Sequence, residues 1–134
     1  PGVFHGVPAL DLEHLEGEPG QWARASLQVP AAAPFFADHF PRRPVFPGTL
    51  LMHANLQTAG WLTAGVPSGN GAAWMPRVVS DVKLRTFIPP GETVSLEVKR
   101  TGHSDVALNV AVESRISQRL IGSAEILFVP EVGP

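Results

Sequence analysis

The sequence contains no cysteine, which excludes disulfide bridges and thiolate chemistry. No stretch reaches the roughly 18 to 20 consecutive apolar residues that a membrane-spanning helix needs. No basic segment is followed by a short apolar one, so the pattern of a secretory signal is missing too. The cysteine content does not indicate a compartment, and with neither a membrane span nor a secretory signal in the pattern, we expect a cytoplasmic protein by default.

Charge is also scarce, since charged residues make up 16% of the 134 residues and the net charge is −2. Without an overall positive charge, we expect no nucleic-acid partner. The length suits a single domain covering residues 1–134. A chain with so little charge and 44% hydrophobic residues is expected to bury surface in an oligomer, the alternative being a single large core.

The N-terminal half divides into four segments. Residues 1–20 are rich in glycine, proline and acidic residues and predict a loosely structured lead-in. Residues 22–29 alternate polar and apolar side chains, which indicates a half-buried strand. Prolines recur through residues 30–47 and predict a stiff loop. A run of about 16 residues without a helix breaker then starts near Gly48 and predicts a largely buried helix.

The remaining residues predict four antiparallel strands separated by turns. The apolar residues of "TVSLEVKR" and "VALNVAVESR" alternate with polar ones, as in strands with one face on a core. One strand, one buried helix and an antiparallel meander predict an α+β fold, with a sheet wrapped on a single helix.

Two stretches of this sequence resemble a known family. They are "PFFADHFPRRPVFPGTLLMHANLQTAG" (residues 34–60) and "DVKLRTFIPPGETVSLEV" (residues 81–98). Both are similar to segments of the β-hydroxyacyl-acyl-carrier-protein dehydratases of the FabA/FabZ group. The resemblance implies the hotdog fold, an antiparallel sheet around one central helix. It also implies a homodimer or higher homo-oligomer with active sites between protomers.

The same resemblance implies the roles of four residues. His39 matches the family's catalytic histidine, and Gly48 matches the glycine whose N–H polarises the thioester carbonyl. Gln57 matches a glutamine that follows the catalytic acid by one helical turn. His53 stands where the family carries glutamate or aspartate.

The chemistry of these residues leaves alternatives open. Imidazole titrates near neutral pH, so His39 suits a general base, although a capped loop histidine has the same sequence. Gly48 after Pro47 suits an anion-binding helix start or a simple Pro-Gly helix entry. His53 has three interpretations: a substitute acid or water-positioning residue, a site adapted to other chemistry, or a buried histidine in an inactive site.

Further residues are candidates for substrate binding. Arg42 and Arg43 could bind the phosphate of a phosphopantetheine arm or an acidic carrier protein, or they are ordinary surface charge. The remaining candidates are apolar residues that would line an acyl tunnel or belong to the core: Phe35, Phe36, Phe40, Pro47 and Leu51. His39 and His53 fall short of the three protein ligands usual at catalytic zinc, so we expect no metal, and no organic cofactor is implied.

The sequence therefore predicts an enzyme that dehydrates β-hydroxyacyl thioesters, on acyl carrier protein or as CoA thioesters, to trans-2-enoyl products. The setting would be fatty-acid or polyketide-type synthesis. One alternative is a hotdog thioesterase. The other is a catalytically impaired partner of an active paralogue, which binds acyl chains or carrier protein.

Overall fold

A computed structural model describes residues 12–29, 48–69 and 71–131, which form one helix and six strands. The helix α1 spans Gly48–Thr63, as the sequence predicted. The strands are β1 (Leu12–Glu18), β2 (Trp22–Gln28), β3 (Trp74–Leu84), β4 (Thr93–His103), β5 (Leu108–Ile116) and β6 (Arg119–Pro130). No helix in these ranges is both long enough and apolar enough to cross a membrane.

The strands form one antiparallel sheet in the order β1-β2-β4-β5-β6-β3. Strands β4, β5 and β6 are sequential neighbours, because short turns can connect antiparallel strands. Strand β3 instead lies at the far edge, beside β6. The predicted meander is present, but β3 does not pair with the strand that follows it in the chain.

Helix α1 lies across one face of the sheet, with its contacts concentrated on β4 and β2. The predicted alternation of β2 is confirmed, since its core-facing residues Ala23, Ala25 and Leu27 are at most 1% exposed. Most of the other core side chains are aliphatic or aromatic and come from the helix and from strands β4 to β6: Leu50, Ala54, Ala59, Leu62, Val94, Leu96, Val98, Leu108, Val110, Val112, Ile126 and Phe128. Burial of these apolar surfaces fixes α1 against the sheet.

The predicted lead-in is wrong for residues 12–18, which form β1. This edge strand pairs with β2, but its register shifts between Glu13 and Glu16, and His14 has a positive φ of 54°. Its side chains are mostly exposed. Backbone pairing with β2, rather than burial of an apolar face, stabilises β1. Its sequence therefore does not alternate apolar and polar residues as a half-buried strand does.

Edge strand β3 exposes an unusual amount of apolar surface. Five of its side chains are between 37% and 58% exposed: Met75, Val78, Val79, Val82 and Leu84. Natural proteins rarely leave a long apolar edge strand uncovered, because its free N–H and C=O groups invite another strand. This edge borders the end of the sheet where α1 begins, since Leu84 lies beside Gly48.

Candidate active site

The first residue of α1 is Gly48, and it is exposed. The first N–H groups of an α-helix have no intrahelical partner, and the helix dipole places a partial positive charge there. The first turn of α1 contains no acidic side chain that would neutralise this charge. The helix start can therefore donate hydrogen bonds to a carbonyl oxygen that gains negative charge.

His53 and Gln57 lie one turn apart on α1, and both are half-buried. Side chains four residues apart on a helix project from the same face. The structure thus places both residues on one side of the helix, where they can act on one reacting group. Their catalytic roles stay predictions.

A cavity of about 330 Å³ lies between α1 and the β3 end of the sheet. This volume falls at the lower end of the range for small-molecule sites. The helix supplies Gly48, Leu51, Met52 and Asn55, whose spacing puts them on one face. The described residues that complete the lining come from three strands: Val79, Val82, Lys83, Leu84, Ser114, Gly122 and Ser123.

Leu84 closes one side of this cavity. A methyl group added at Gly48 would lie 3.5 Å from its Cδ2 atom, and one added at Gly122 would lie 3.7 Å from its Cδ1 atom. The same hypothetical methyl at Gly122 would lie 3.7 Å from Leu51. The start of the helix, the end of β3 and the β6 strand at Gly122 thus meet on one side of the cavity.

Seven predicted site residues lie outside the described ranges: His39, Phe35, Phe36, Phe40, Arg42, Arg43 and Pro47. Of the others, the structure brings Gly48 and Leu51 together at the cavity. It places His53 and Gln57 on an adjacent face of the same helix.

Sequence reasoning missed two polar residues of the cavity, Asn55 and Ser114. Asn55 follows His53 by two residues, so it projects from a different face of the helix, and it lines the cavity. On β5, Val110, Val112 and Ser114 are alternate residues and face the core. A polar residue at a core-facing position of a strand could therefore have indicated Ser114 as a site residue.

The opposite face of the sheet carries a larger hollow of about 580 Å³, but its lining is charged and contains none of the predicted site residues. On the same face, Arg24 forms ion pairs with Glu97 and Glu16 at 3.0 and 3.3 Å. Hydrogen bonding to Glu97 raises the pKa of Arg24. Exposed pairs of this kind contribute little to stability. Among residues 12–29, 48–69 and 71–131, no group of three potential ligands could hold a metal ion.

Comparison with solved structures identifies the class of fold. The dehydratase heterocomplex ApeI:P from Xenorhabdus doucetiae matches with a TM-score of 0.70 at 19% identity, covering 90% of this chain and 97% of that chain. The PaaI protein of the E. coli phenylacetic acid degradation operon matches with a TM-score of 0.69 at 9% identity, covering 88% and 82%. These similarities concern the fold alone. The protein has the hotdog fold, as the sequence predicted.

Sequence comparison then identifies the family. The sequence model of the ApeI-like family, described as ApeI dehydratase, matches residues 16–119. The 3-hydroxyacyl-acyl-carrier-protein dehydratase FabZ of Roseiflexus sp. is 35% identical over 98 residues, which cover 72% of this chain and 68% of the relative. The FabZ of Clostridioides difficile is 26% identical over 127 residues, covering 94% and 89%.

The chain belongs to the ApeI-like dehydratase family. This membership confirms the predicted FabZ-like resemblance and the predicted enzyme class, a hydro-lyase.

Proposed function

We propose that this dehydratase removes water from 3-hydroxyacyl thioesters carried on acyl carrier protein and releases trans-2-enoyl thioesters. The observation that supports this best is the position of Gly48, at the start of α1 and on the rim of an apolar cavity. A thioester carbonyl at the helix start would direct its acyl chain into that cavity. The FabZ relatives, named for this reaction on acyl carrier protein, support the same substrate class.

The reaction begins with removal of a proton from the α-carbon. His39 is the proposed base, and its ring nitrogen takes this proton while negative charge moves to the thioester oxygen. The N–H at Gly48 stabilises that oxygen. Loss of one such donor costs roughly 100-fold to 1,000-fold in rate in a well-studied hydrolase.

The reaction ends with departure of the β-hydroxyl group. Hydroxide is a poor leaving group, so an acid must donate a proton as the C–O bond breaks. We assign this role to His53 in its imidazolium form, with Gln57 positioning the hydroxyl. The group then leaves as water, the electron pair of the α-carbon forms the new double bond, and each histidine has exchanged one proton.

The proposed assembly is a homodimer with active sites between protomers. The exposed apolar edge of β3 offers a surface for a second copy, and it borders the cavity through Val79, Val82 and Leu84. Arg42 and Arg43 would bind the phosphate or the acidic surface of the carrier protein.

The test is an assay of the purified protein with 3-hydroxyacyl thioesters on acyl carrier protein, reading enoyl product. We expect His39→Ala to lose at least 100-fold in kcat/KM, a typical effect of removing an acid–base group. We expect His53→Leu to lose a similar factor, while His53→Glu, which restores a carboxylic acid, retains activity. Equal activity in the parent protein and in His39→Ala would rule out His39 as the base and would contradict this mechanism.

Thioester hydrolysis is the main competing reaction. It requires a group that attacks or activates water, commonly a carboxylate, and the sequence of α1, "GTLLMHANLQTAGWLT", contains none. Release of free thiol from acyl-CoA without enoyl product would favour the thioesterase alternative. We expect no thiol release above the rate of a His39→Ala control.

A second candidate function is that of a partner subunit. The helix lacks the family's acidic residue, and one similar structure is a dehydratase heterocomplex. In this alternative the chain binds acyl chains but depends on a related subunit for the acid. It predicts no turnover by the purified chain alone and activity after addition of a dehydratase-like paralogue with glutamate at the position of His53.

A further inference from the structure

Two buried polar side chains face the apolar cavity between α1 and β3. Asn55 on α1 is 3% exposed and Ser114 on β5 is 1% exposed. Both line the cavity. The Oδ1 atom of Asn55 and the Oγ atom of Ser114 form no hydrogen bond within the described part of the chain.

This arrangement costs stability. A buried polar group without a partner has lost its hydrogen bonds to water and gained none in return. The neighbouring positions show that apolar residues fit here, since Leu51 precedes Asn55 by one turn and Val112 precedes Ser114 on the same face of β5. Native proteins hold few such groups, and a ligand that completes their hydrogen bonds is one physical reason for keeping them.

Asn55 lies at a distance from the proposed position of the thioester. Asn55 follows Gly48 by seven residues on the same face of α1, which corresponds to about 10 Å along the helix. Between them the helix contributes Leu51 and Met52 to the cavity wall. An acyl chain that starts at Gly48 therefore crosses an apolar section before it reaches Asn55, and Ser114 lines the same cavity from β5.

We propose that this cavity binds 3-hydroxyacyl thioesters whose chain carries a second hydroxyl group in its distal half. That hydroxyl donates a hydrogen bond to Oδ1 of Asn55 and accepts one from the hydroxyl of Ser114. A purely apolar chain would leave both protein groups desolvated and unsatisfied. The inference rests on the proposed function, because it assumes that the thioester lies at Gly48.

The decisive measurement is binding without turnover. Saturated acyl-pantetheines lack the 3-hydroxyl and cannot be dehydrated, so their dissociation constants can be measured by calorimetry with the whole chain. The probes are decanoyl-pantetheine and a series of analogues in which one hydroxyl moves carbon by carbon along the distal half. Two completed hydrogen bonds predict that one analogue binds about tenfold tighter than the unsubstituted probe.

Matched variants connect this preference to the two residues. Asn55→Leu and Ser114→Ala each remove one polar group with little change in size, and we expect each to abolish the preference. Because both changes also remove an unsatisfied group, the melting temperature should stay level or rise. Asn109→Leu, at an exposed position on β5, is the control and should keep the tenfold ratio.

Three results would overturn the inference. Equal binding of all probes by the parent protein would mean that Asn55 and Ser114 do not recognise a hydroxyl group on the chain. An unchanged preference in both variants would place the recognition elsewhere. If no acyl-pantetheine binds, the cavity is not an acyl site. The proposed function is judged separately, because dehydration of an unsubstituted 3-hydroxyacyl thioester together with equal probe binding would contradict the inference alone.

Discussion

Leu84, the last residue of β3, packs beside Gly48, the first residue of α1, so that a methyl group at Gly48 would lie 3.5 Å from the Leu84 Cδ2 atom. This is an ordinary van der Waals distance, and the fold therefore tolerates Gly48→Ala. Yet Gly48 also lines the cavity, so the same methyl would obstruct a thioester approaching the helix start. We expect normal folding and a loss of about tenfold in kcat/KM, equivalent to about 1.4 kcal/mol.

The matched control is Gly60→Ala on the same helix, where an added methyl group meets no described atom within 4 Å. We expect this variant to gain roughly 0.5–1 kcal/mol in stability, because glycine is unfavourable inside a helix, and to keep parent activity. Thermal unfolding and enoyl product formation measure both effects. Parent activity in Gly48→Ala would show that no substrate group approaches this backbone closely.

The turn between β5 and β6 offers a prediction about stability alone. Ser117 and Gln118 have φ values of 48° and 71°, a left-handed pair that two-residue hairpins use and that glycine adopts most readily. The left-handed conformation costs a non-glycine residue about 1–2 kcal/mol. Allowing for the extra chain entropy of glycine, Gln118→Gly should raise the free energy of unfolding by about 1 kcal/mol.

The control for this change is Gln28→Gly on β2. Gln28 lies in a regular strand and accepts a hydrogen bond from Thr93 at 3.0 Å, so glycine there should destabilise the protein. Urea unfolding measures both variants. Equal destabilisation by the two would mean that the turn gains nothing from glycine.

Local patterns were enough to predict most elements of the fold. Side chains alternate between the two faces of a strand and recur every three to four residues on a helix. These short periods are visible in the sequence of β2 and in the uninterrupted run after Gly48. The turn between the last two predicted strands, which the structure places at Ser117 and Gln118, contains no glycine, but apolar runs flank it on both sides. Edge strand β1 escaped prediction because a register shift interrupts it and few of its side chains are buried.

The site was less predictable, because it depends on contacts between distant parts of the chain. Helical spacing puts Asn55 on a different face from His53, but the sequence does not show which strands pack against that face. Ser114 lines the same cavity as Asn55 only because β5 lies in the interior of the sheet. Likewise, the pairing of β3 with β6, which brings Leu84 to the helix start, follows from long-range strand order that no local pattern contains.

The carboxyl groups of Asp81 and Glu125 predict a specific pH dependence. A hydrogen bond with Asp81 and repulsion from its charge raise the pKa of Glu125 above the ordinary value of 4.5. The folded state therefore holds this proton more tightly than the unfolded state. The contribution of Glu125 to the free energy of unfolding is therefore fully present below pH 4.5, and it is lost as the pH rises through the raised pKa.

Glu125→Gln removes that titration. We expect the variant to equal the parent in acid and to be slightly more stable at neutral pH, with the difference growing across the interval above pH 4.5. The effect should be small because Glu125 is exposed. Urea unfolding across a pH series measures it, and a variant less stable than the parent at neutral pH would contradict the repulsion.

Val78 on the edge strand β3 tests the proposed dimer. Its side chain is 47% exposed, and the outer edge of β3 pairs with no other strand among the described residues. If a second copy pairs with this edge, a lysine at position 78 would place a positive charge in the contact. We expect Val78→Lys to shift the protein from dimer to monomer in light scattering and to lose dehydratase activity, since the proposed active sites lie between protomers. Val106→Lys, at a position 68% exposed and outside β3, should stay dimeric and active. A dimer of unchanged stability in Val78→Lys would place the subunit contact on another surface.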